Sequence, residues 1–350
     1  MIVDVHGHIT HPDLFDRFPM PRTLLDIEGM LERKAALGIE LTIVGSPVGF
    51  GTMSRVPGLD NYAQPLDQLK SFHEWLAETV VKHSPRLAAY AYVNPFGGDA
   101  MLEQTAAGVR DLGFVGLIVN TSVRGEYLDS EGADDFFALA SELDVPVVLH
   151  PPAEPVGSDS ISDFRLVEQV GRFLDVTMSL ATLVFSGRLE QFPNLRFVAV
   201  TAGGAIGLLA GRLDQAYQPR HWGGGPPGGA EGKGPPAAAP PMMQYENKIS
   251  SPPSTFLKQI YVDTANYSPA NQLANLELMG SDHILFGTDS PPLATPLEAG
   301  IELVEGLPLT DEDKRKIFSE NALRLFKLSG LEPSVQAASV SSPTQGPQRG

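Results

Sequence analysis

The 350-residue chain contains no cysteine. That absence removes thiolate metal sites, thiol nucleophiles and disulfide staples together. Any bound metal must therefore sit on His, Asp or Glu. Basic residues are scarce as well: 25 Lys and Arg stand against 42 Asp and Glu, a formal net charge of −17. Nucleic acid demands a basic footprint, and an anionic membrane surface attracts basic segments, so neither is an expected partner. No apolar run reaches the length of a membrane span. The start, Met1-Ile2-Val3-Asp4-Val5-His6, lacks the basic flank and long apolar stretch of a secretory signal. A cytoplasmic protein is the expectation.

What the chain does contain is alternation. Short apolar runs at 2–8, 41–45, 87–93, 115–120, 145–150, 196–200, 259–263 and 283–287 read as strands. Between them lie stretches of helical period at 23–37, 66–83, 100–112, 134–143, 163–190, 205–217 and 269–279, with a closing pair at 296–305 and 310–328. Eight strands each followed by a helix predict an α/β protein, a (β/α)₈ TIM barrel formed as one domain over residues 1–328. An open doubly wound sheet shares the alternation. It gathers ligands around one crevice, however, whereas here polar residues end strands all around the order. Residues 219–255, rich in Gly, Pro and Ala at their start, read as an irregular insertion after the sixth strand. The Ser-, Gln- and Pro-rich tail, 329–350, reads as unstructured.

Three strand ends carry metal-binding chemistry. In Asp4-Val5-His6-Gly7-His8, alternation places Asp4, His6 and His8 on one face, and two imidazoles two residues apart can share a cation. Val147-Val148-Leu149-His150 is a buried run ending in imidazole, and Ile284-Leu285-Phe286-Gly287-Thr288-Asp289 one ending in carboxylate. In a barrel, the first, fifth and eighth strands converge at the C-terminal mouth. His6, His8, His150 and Asp289 are therefore the candidate ligands of one divalent ion. The fourth strand, Val115-Gly116-Leu117-Ile118-Val119-Asn120, carries no lysine.

These motifs, with Gly113-Phe114-Val115-Gly116-Leu117, Phe192-Pro193-Asn194-Leu195-Arg196-Phe197, Gly203-Gly204-Ala205 and Gly211-Arg212-Leu213-Asp214, resemble the amidohydrolase-related group. That group includes aminocarboxymuconate semialdehyde decarboxylase, the hydroxybenzoate (γ-resorcylate) decarboxylases and oxalomesaconate hydratase. The resemblance covers nearly all of residues 2–328. It implies a metal held by His6, His8, His150 and Asp289, zinc first and manganese as the alternative, and it implies a homodimer. Two-metal relatives usually bridge their ions with a carbamylated lysine on the fourth strand, so its lack here implies one metal.

One position departs from the pattern. Relatives usually end the sixth strand with a histidine acting as acid/base; here Thr201 stands there. A hydroxyl exchanges hydrogen bonds but holds no proton at a useful pKa. Three accounts follow: Asp289 alone carries the proton, His11 or His221 substitutes, or the barrel binds metal and ligand without turnover. The favoured reading is a nonoxidative decarboxylase of a small unsaturated or aromatic carboxylate, with Asp289 as proton donor. A hydrolase or hydratase using metal-bound water is the alternative. Asn120, Arg124, Thr201, His11 and His221 are candidate substrate contacts, while His73, His83 and His283 read as structural.

Overall fold

The computed structural model describes residues 1–217 and 247–328. His221, most of the expected insertion and the 329–350 tail lie outside the described residues. Eight parallel strands run in sequence order: β1 (Ile2–Gly7), β2 (Ile39–Val44), β3 (Leu87–Tyr92), β4 (Gly116–Asn120), β5 (Val147–His150), β6 (Phe197–Ala199), β7 (Ile260–Asp263) and β8 (Ile284–Leu285). Each pairs with the next. The seam between β8 and β1 is bridged by Val5 N donating to Phe286 O (3.0 Å) and Asp289 N donating to His6 O (2.8 Å). The strands are rich in Val, Ile, Leu and Ala and are buried on both faces, as parallel strands under a helical layer must be.

The principal helices fall on the predicted periods: α1 (Ile27–Ala35), α2 (Leu66–His83), α3 (Asp99–Arg110), α4 (Asp134–Leu143), α5 (Arg172–Phe185), α6 (Ile206–Tyr217), α7 (Pro269–Met279) and α8 (Leu297–Glu305). α2 shows why: Leu69, Phe72, His73, Leu76, Thr79 and His83 fall three or four residues apart and form its buried side. The helix expected over 310–328 is observed as Asp311–Arg315, a π turn at Lys316–Glu320 and Asn321–Leu325.

Four further expectations need correction. The helix expected over 163–190 is broken into a short turn at Phe164–Leu166, a π turn at Val167–Gly171, α5, and a last turn at Arg188–Gln191. Gly187 separates the last two in the left-handed region at φ 81°, a position where glycine carries no Cβ penalty. Residues 253–255, expected to be irregular, begin a 3₁₀ helix (Pro253–Gln259), and Ser254 bonds both carboxylate oxygens of Asp214. A short helix at Pro12–Arg17 and a hairpin pairing Ser122–Val123 with Glu126–Tyr127 were not foreseen.

The fourth correction concerns β1. Its register against β2 runs from Asp4↔Thr42 to Gly7↔Val44, three residues against two. This bulge breaks the strict alternation that would have put Asp4 with His6 and His8. Asp4 is instead engaged by Lys34 of α1 and by Thr288. Gly7 permits the bend, since a Cβ there would sit 2.6 Å from Thr42 Cγ2.

Candidate metal centre

His6 on β1, His8 just beyond it, His150 at the end of β5 and Asp289 beyond β8 meet at the C-terminal mouth. One ligand atom from each lies within 4.8 Å of every other. The imidazoles stand nearly perpendicular to one another, with ring centroids 5.0–5.3 Å apart.

What locks the rings is visible at their other nitrogens. Nδ1 of His6 is 2.6 Å from Asp263 Oδ2, Nδ1 of His8 is 2.8 Å from Gly45 O, and Nδ1 of His150 is 2.8 Å from Pro151 O. Carbonyls and carboxylates only accept, so in each neutral ring Nδ1 carries the proton and Nε2 presents the lone pair. His6 Nε2 is buried without a hydrogen-bond partner among the described residues. Asp289 Oδ1 is 3.1 Å from His8 Nε2 and 3.5 Å from His6 Nε2. Three converging nitrogen lone pairs and one carboxylate suit a divalent cation with positions left open for a ligand.

The electrostatics of the cluster fit the same group. Burial opposes charge on His6, but Asp289, then Asp263 and Asp4, outweigh it and raise its pKa to about 9. Burial, then His8 and His6, push His150 well below its ordinary value. For Asp289, burial alone would raise the carboxyl; His6, His8 and His150 overcome it and hold it at about 2. The carboxylates thus draw a proton onto His6, and a cation would supply that positive charge in its place.

Two supporting carboxylates escaped the sequence reading as site residues. Asp263, fully buried at the end of β7, receives His6 through Oδ2. Its Oδ1 accepts the amides of Ala202 (2.8 Å) and Ala265 (3.1 Å). Asp4 accepts His6 N (3.0 Å), Thr288 N (3.0 Å), Thr288 Oγ1 (2.6 Å) and Lys34 Nζ (2.6 Å). It thereby fixes the residue next to Asp289 to the strand carrying His6. A sequence signal existed for Asp263: Ile260-Tyr261-Val262-Asp263 is another buried run with a polar tip. Gly287 lets β8 approach, because a Cβ there would lie 2.9 Å from Asp263 Cβ.

The other candidates are placed as follows. Asn120 is buried and braces the β5 tip, its Nδ2 on His150 O (3.3 Å) and Pro151 O (3.4 Å), while its Oδ1 accepts from Tyr62 (3.0 Å). The Arg124 side chain, 55% exposed, is committed to Asp60 through Nε and Nη2. His11 caps the Pro12–Arg17 helix by accepting from Asp13 N, with its ring against Trp75 and Phe50. Thr201 is half-buried in the left-handed region, φ 56° and ψ 41°, followed by Ala202 in the same conformation. The three structural histidines stay away from the cluster, each bonded to its own neighbour: His73 to Tyr92 N, His83 to Glu28 and His283 to Ile260 O.

Comparison with known proteins agrees with this geometry. The amidohydrolase family model matches residues 3–328. A γ-resorcylate decarboxylase of Rhizobium sp. (strain MTP-10005) is 28% identical over 324 residues, covering 88% of this chain and 89% of the relative. The 2-amino-3-carboxymuconate-6-semialdehyde decarboxylase of Dictyostelium discoideum is 22% identical over 292 residues, 82% of this chain and 74% of the relative. Among solved structures, a dihydroxybenzoic acid decarboxylase of Polaromonas sp. JS666, with bound manganese and the inhibitor 2-nitroresorcinol, shares the fold. Its TM-score is 0.71 at 21% identity, covering 93% of this chain and 97% of that one. A barrel whose first, fifth and eighth strands deliver three imidazoles and a carboxylate to one point, matched along 3–328, belongs to the amidohydrolase family.

Proposed function

We propose that this protein is a metal-dependent nonoxidative decarboxylase of a small aromatic or unsaturated carboxylate. His6, His8, His150 and Asp289 would hold one divalent ion. Zinc is our first choice and manganese the alternative, since this donor set suits both. The observation that carries the reading is the position of Asp289. Its side chain, 24% exposed, is the acidic group beside three buried, hydrogen-bond-locked imidazoles, and Thr201 leaves no second acid at the sixth strand. The relatives named above carry decarboxylase names.

A divalent ion held there supplies Lewis-acid polarisation of substrate oxygens. The chain does the rest. Asp263, Gly45 and Pro151 keep the imidazoles oriented, so the site needs no rearrangement as charge develops. Asp289 gives a proton to the substrate carbon that bears the carboxylate. The carbon–carbon bond then breaks, its electron pair returns to the ring or double bond, and carbon dioxide leaves. The imidazoles around Asp289 hold its carboxyl ionised, so the proton it delivers must first reach it from the substrate's own hydroxyl group or from water.

No described helix is long and apolar enough to cross a membrane; a cytoplasmic homodimer belongs to the same proposal. The test is carbon dioxide release from ortho-hydroxylated benzoates by zinc- or manganese-loaded protein. Ester, lactone or amide turnover without carbon dioxide would replace the lyase by a hydrolase. No turnover of any kind by loaded protein would leave a barrel that only binds.

A further inference from the structure

The regular strand β8 ends at Leu285, yet every backbone N–H and C=O of Gly287, Thr288 and Asp289 is engaged, most of them by side chains. Thr264 Oγ1 accepts Gly287 N (3.1 Å) and donates to Gly287 O (3.0 Å). Thr288 donates to Asp4 through N (3.0 Å) and Oγ1 (2.6 Å), and its carbonyl accepts the Tyr267 hydroxyl at 2.7 Å. Its Oγ1 also accepts Ser290 N (3.1 Å). Asp289 N donates to His6 O (2.8 Å), and Asp289 O accepts Leu293 N (3.0 Å). Thr264, Thr288 and Asp4 are buried, and Lys34, buried beside them, holds Asp4 Oδ2 at 2.6 Å.

This network fixes a backbone that would not hold itself. Asp289 and Tyr267 both stand in the left-handed region, at φ 51° and 54°. Such a conformation is uncommon for any residue but glycine and an outlier for a bulky one. It persists where the surroundings over-determine it, and it collects at functional sites. The bond from the Tyr267 hydroxyl to Thr288 O ties the two strained segments together. Burial, then Asp4, Asp289 and Asp263, push the phenol up, so it stays a donor. Valine would fill the volume of Thr288 equally well; its hydroxyl serves the connection. A turn needed only for folding must satisfy its amides. It need not strain the one residue that carries the carboxylate.

Resting on the metal centre proposed above, we infer that Thr288 and Tyr267 are positioning residues for the metal. They hold Asp289 in the left-handed conformation that brings its Oδ1 to 3.1 Å from His8 Nε2 and 3.5 Å from His6 Nε2. Thr264 supports the same turn from the end of β7, and the Asp4–Lys34 pair supports it from β1 and α1. A carboxylate aimed before the ion arrives loses nothing to reorganisation on binding. Loosening the turn therefore weakens metal binding and alters ligand geometry, whatever reaction the centre performs.

The experiment compares wild type with Tyr267→Phe, Thr288→Val and Thr288→Ser. Zinc affinity is read by competition with a chromophoric chelator, ligand geometry by the visible absorption of cobalt(II)-loaded protein, and the fold by melting of metal-free protein. Tyr267→Phe and Thr288→Val should each weaken zinc binding by about 10–100-fold and change the cobalt spectrum. Thr288→Ser, which keeps the hydroxyl, should stay within about threefold of wild type and keep its spectrum. Zinc affinity and cobalt spectrum unchanged in both Tyr267→Phe and Thr288→Val would overturn the inference, even if the metal-free proteins melted earlier. So would a loss that Thr288→Ser shares in full. Should Thr288→Val fail to fold, Tyr267→Phe decides alone, since it removes one oxygen from a half-buried ring. A wild type that takes up no zinc or cobalt would overturn the metal centre and this inference together. Equal binding by all four proteins would overturn the positioning role and leave the centre standing.

Discussion

His6 and Asp263, 257 residues apart in the chain, meet with Nδ1 2.6 Å from Oδ2. The contact makes one imidazole part of a carboxylate–histidine pair and fixes which nitrogen is available to a metal. Replacing Asp263 with Asn keeps an oxygen for the Ala202 and Ala265 amides but removes the anionic acceptor. Metal affinity should fall about 10–100-fold, the usual effect of losing such an outer partner. Competition with a chromophoric chelator measures it. Unchanged affinity would show that His6 is oriented by other contacts.

Removing the metal tests the centre as a whole. Protein stripped with a chelator should lose activity and regain it with one equivalent of zinc or manganese. Because ion binding favours the folded state, metal at 100 times its Kd should stabilise the fold by about 3 kcal/mol. Calorimetric melting with and without metal reads this difference. Two equivalents per chain in elemental analysis would contradict the single site.

Asp289→Asn separates proton transfer from metal binding. The amide can still approach the cation, but it cannot deliver a proton at any accessible pH. With the metal retained, kcat should drop by about 10²–10⁴, the range for a lost general acid. Turnover within tenfold of wild type, at full metal content, would remove Asp289 from the role of proton carrier.

The convergence of the four candidate ligands was legible in the sequence because two of them end buried apolar runs, where a charged or imidazole side chain has no packing role. His150 after Val147-Val148-Leu149 and Asp289 after Ile284-Leu285-Phe286 are such cases. Asp263 obeys the same rule, yet its partner lies on another strand, and nothing local marks which nitrogen of His6 it would take. The Asp4–Lys34 pair was hidden by the β1 bulge: register against β2 is a property of two strands, and the alternation of one cannot reveal it. Arg124 shows the opposite error. A basic residue beyond a strand tip looked available to substrate, but Asp60 claims it.

Thr201 occupies a left-handed conformation that β-branched residues rarely adopt, and Asp263 holds it there by accepting the next amide. The strain should be relieved by Asn, which tolerates this region. Thr201→Asn should therefore raise unfolding free energy by about 0.5–1 kcal/mol. Denaturant titration measures it. A loss of stability would mean that the threonine makes compensating contacts within the sixth-strand turn.

His73 contributes to the acid sensitivity of the fold. Its Nε2 accepts the Tyr92 amide at 3.1 Å, its Nδ1 has no partner among the described residues, and burial lowers its pKa from 6.5 to about 4. The unfolded chain binds this proton below 6.5, whereas the folded one refuses it until about 4. The stabilisation is complete above 6.5 and is lost progressively as pH falls to about 4, a total of about 3 kcal/mol. His73→Gln keeps an acceptor for Tyr92 N but does not titrate. Its unfolding free energy should therefore decline less steeply than that of wild type between those two pH values. Parallel curves for the two proteins would mean that the acid sensitivity resides elsewhere.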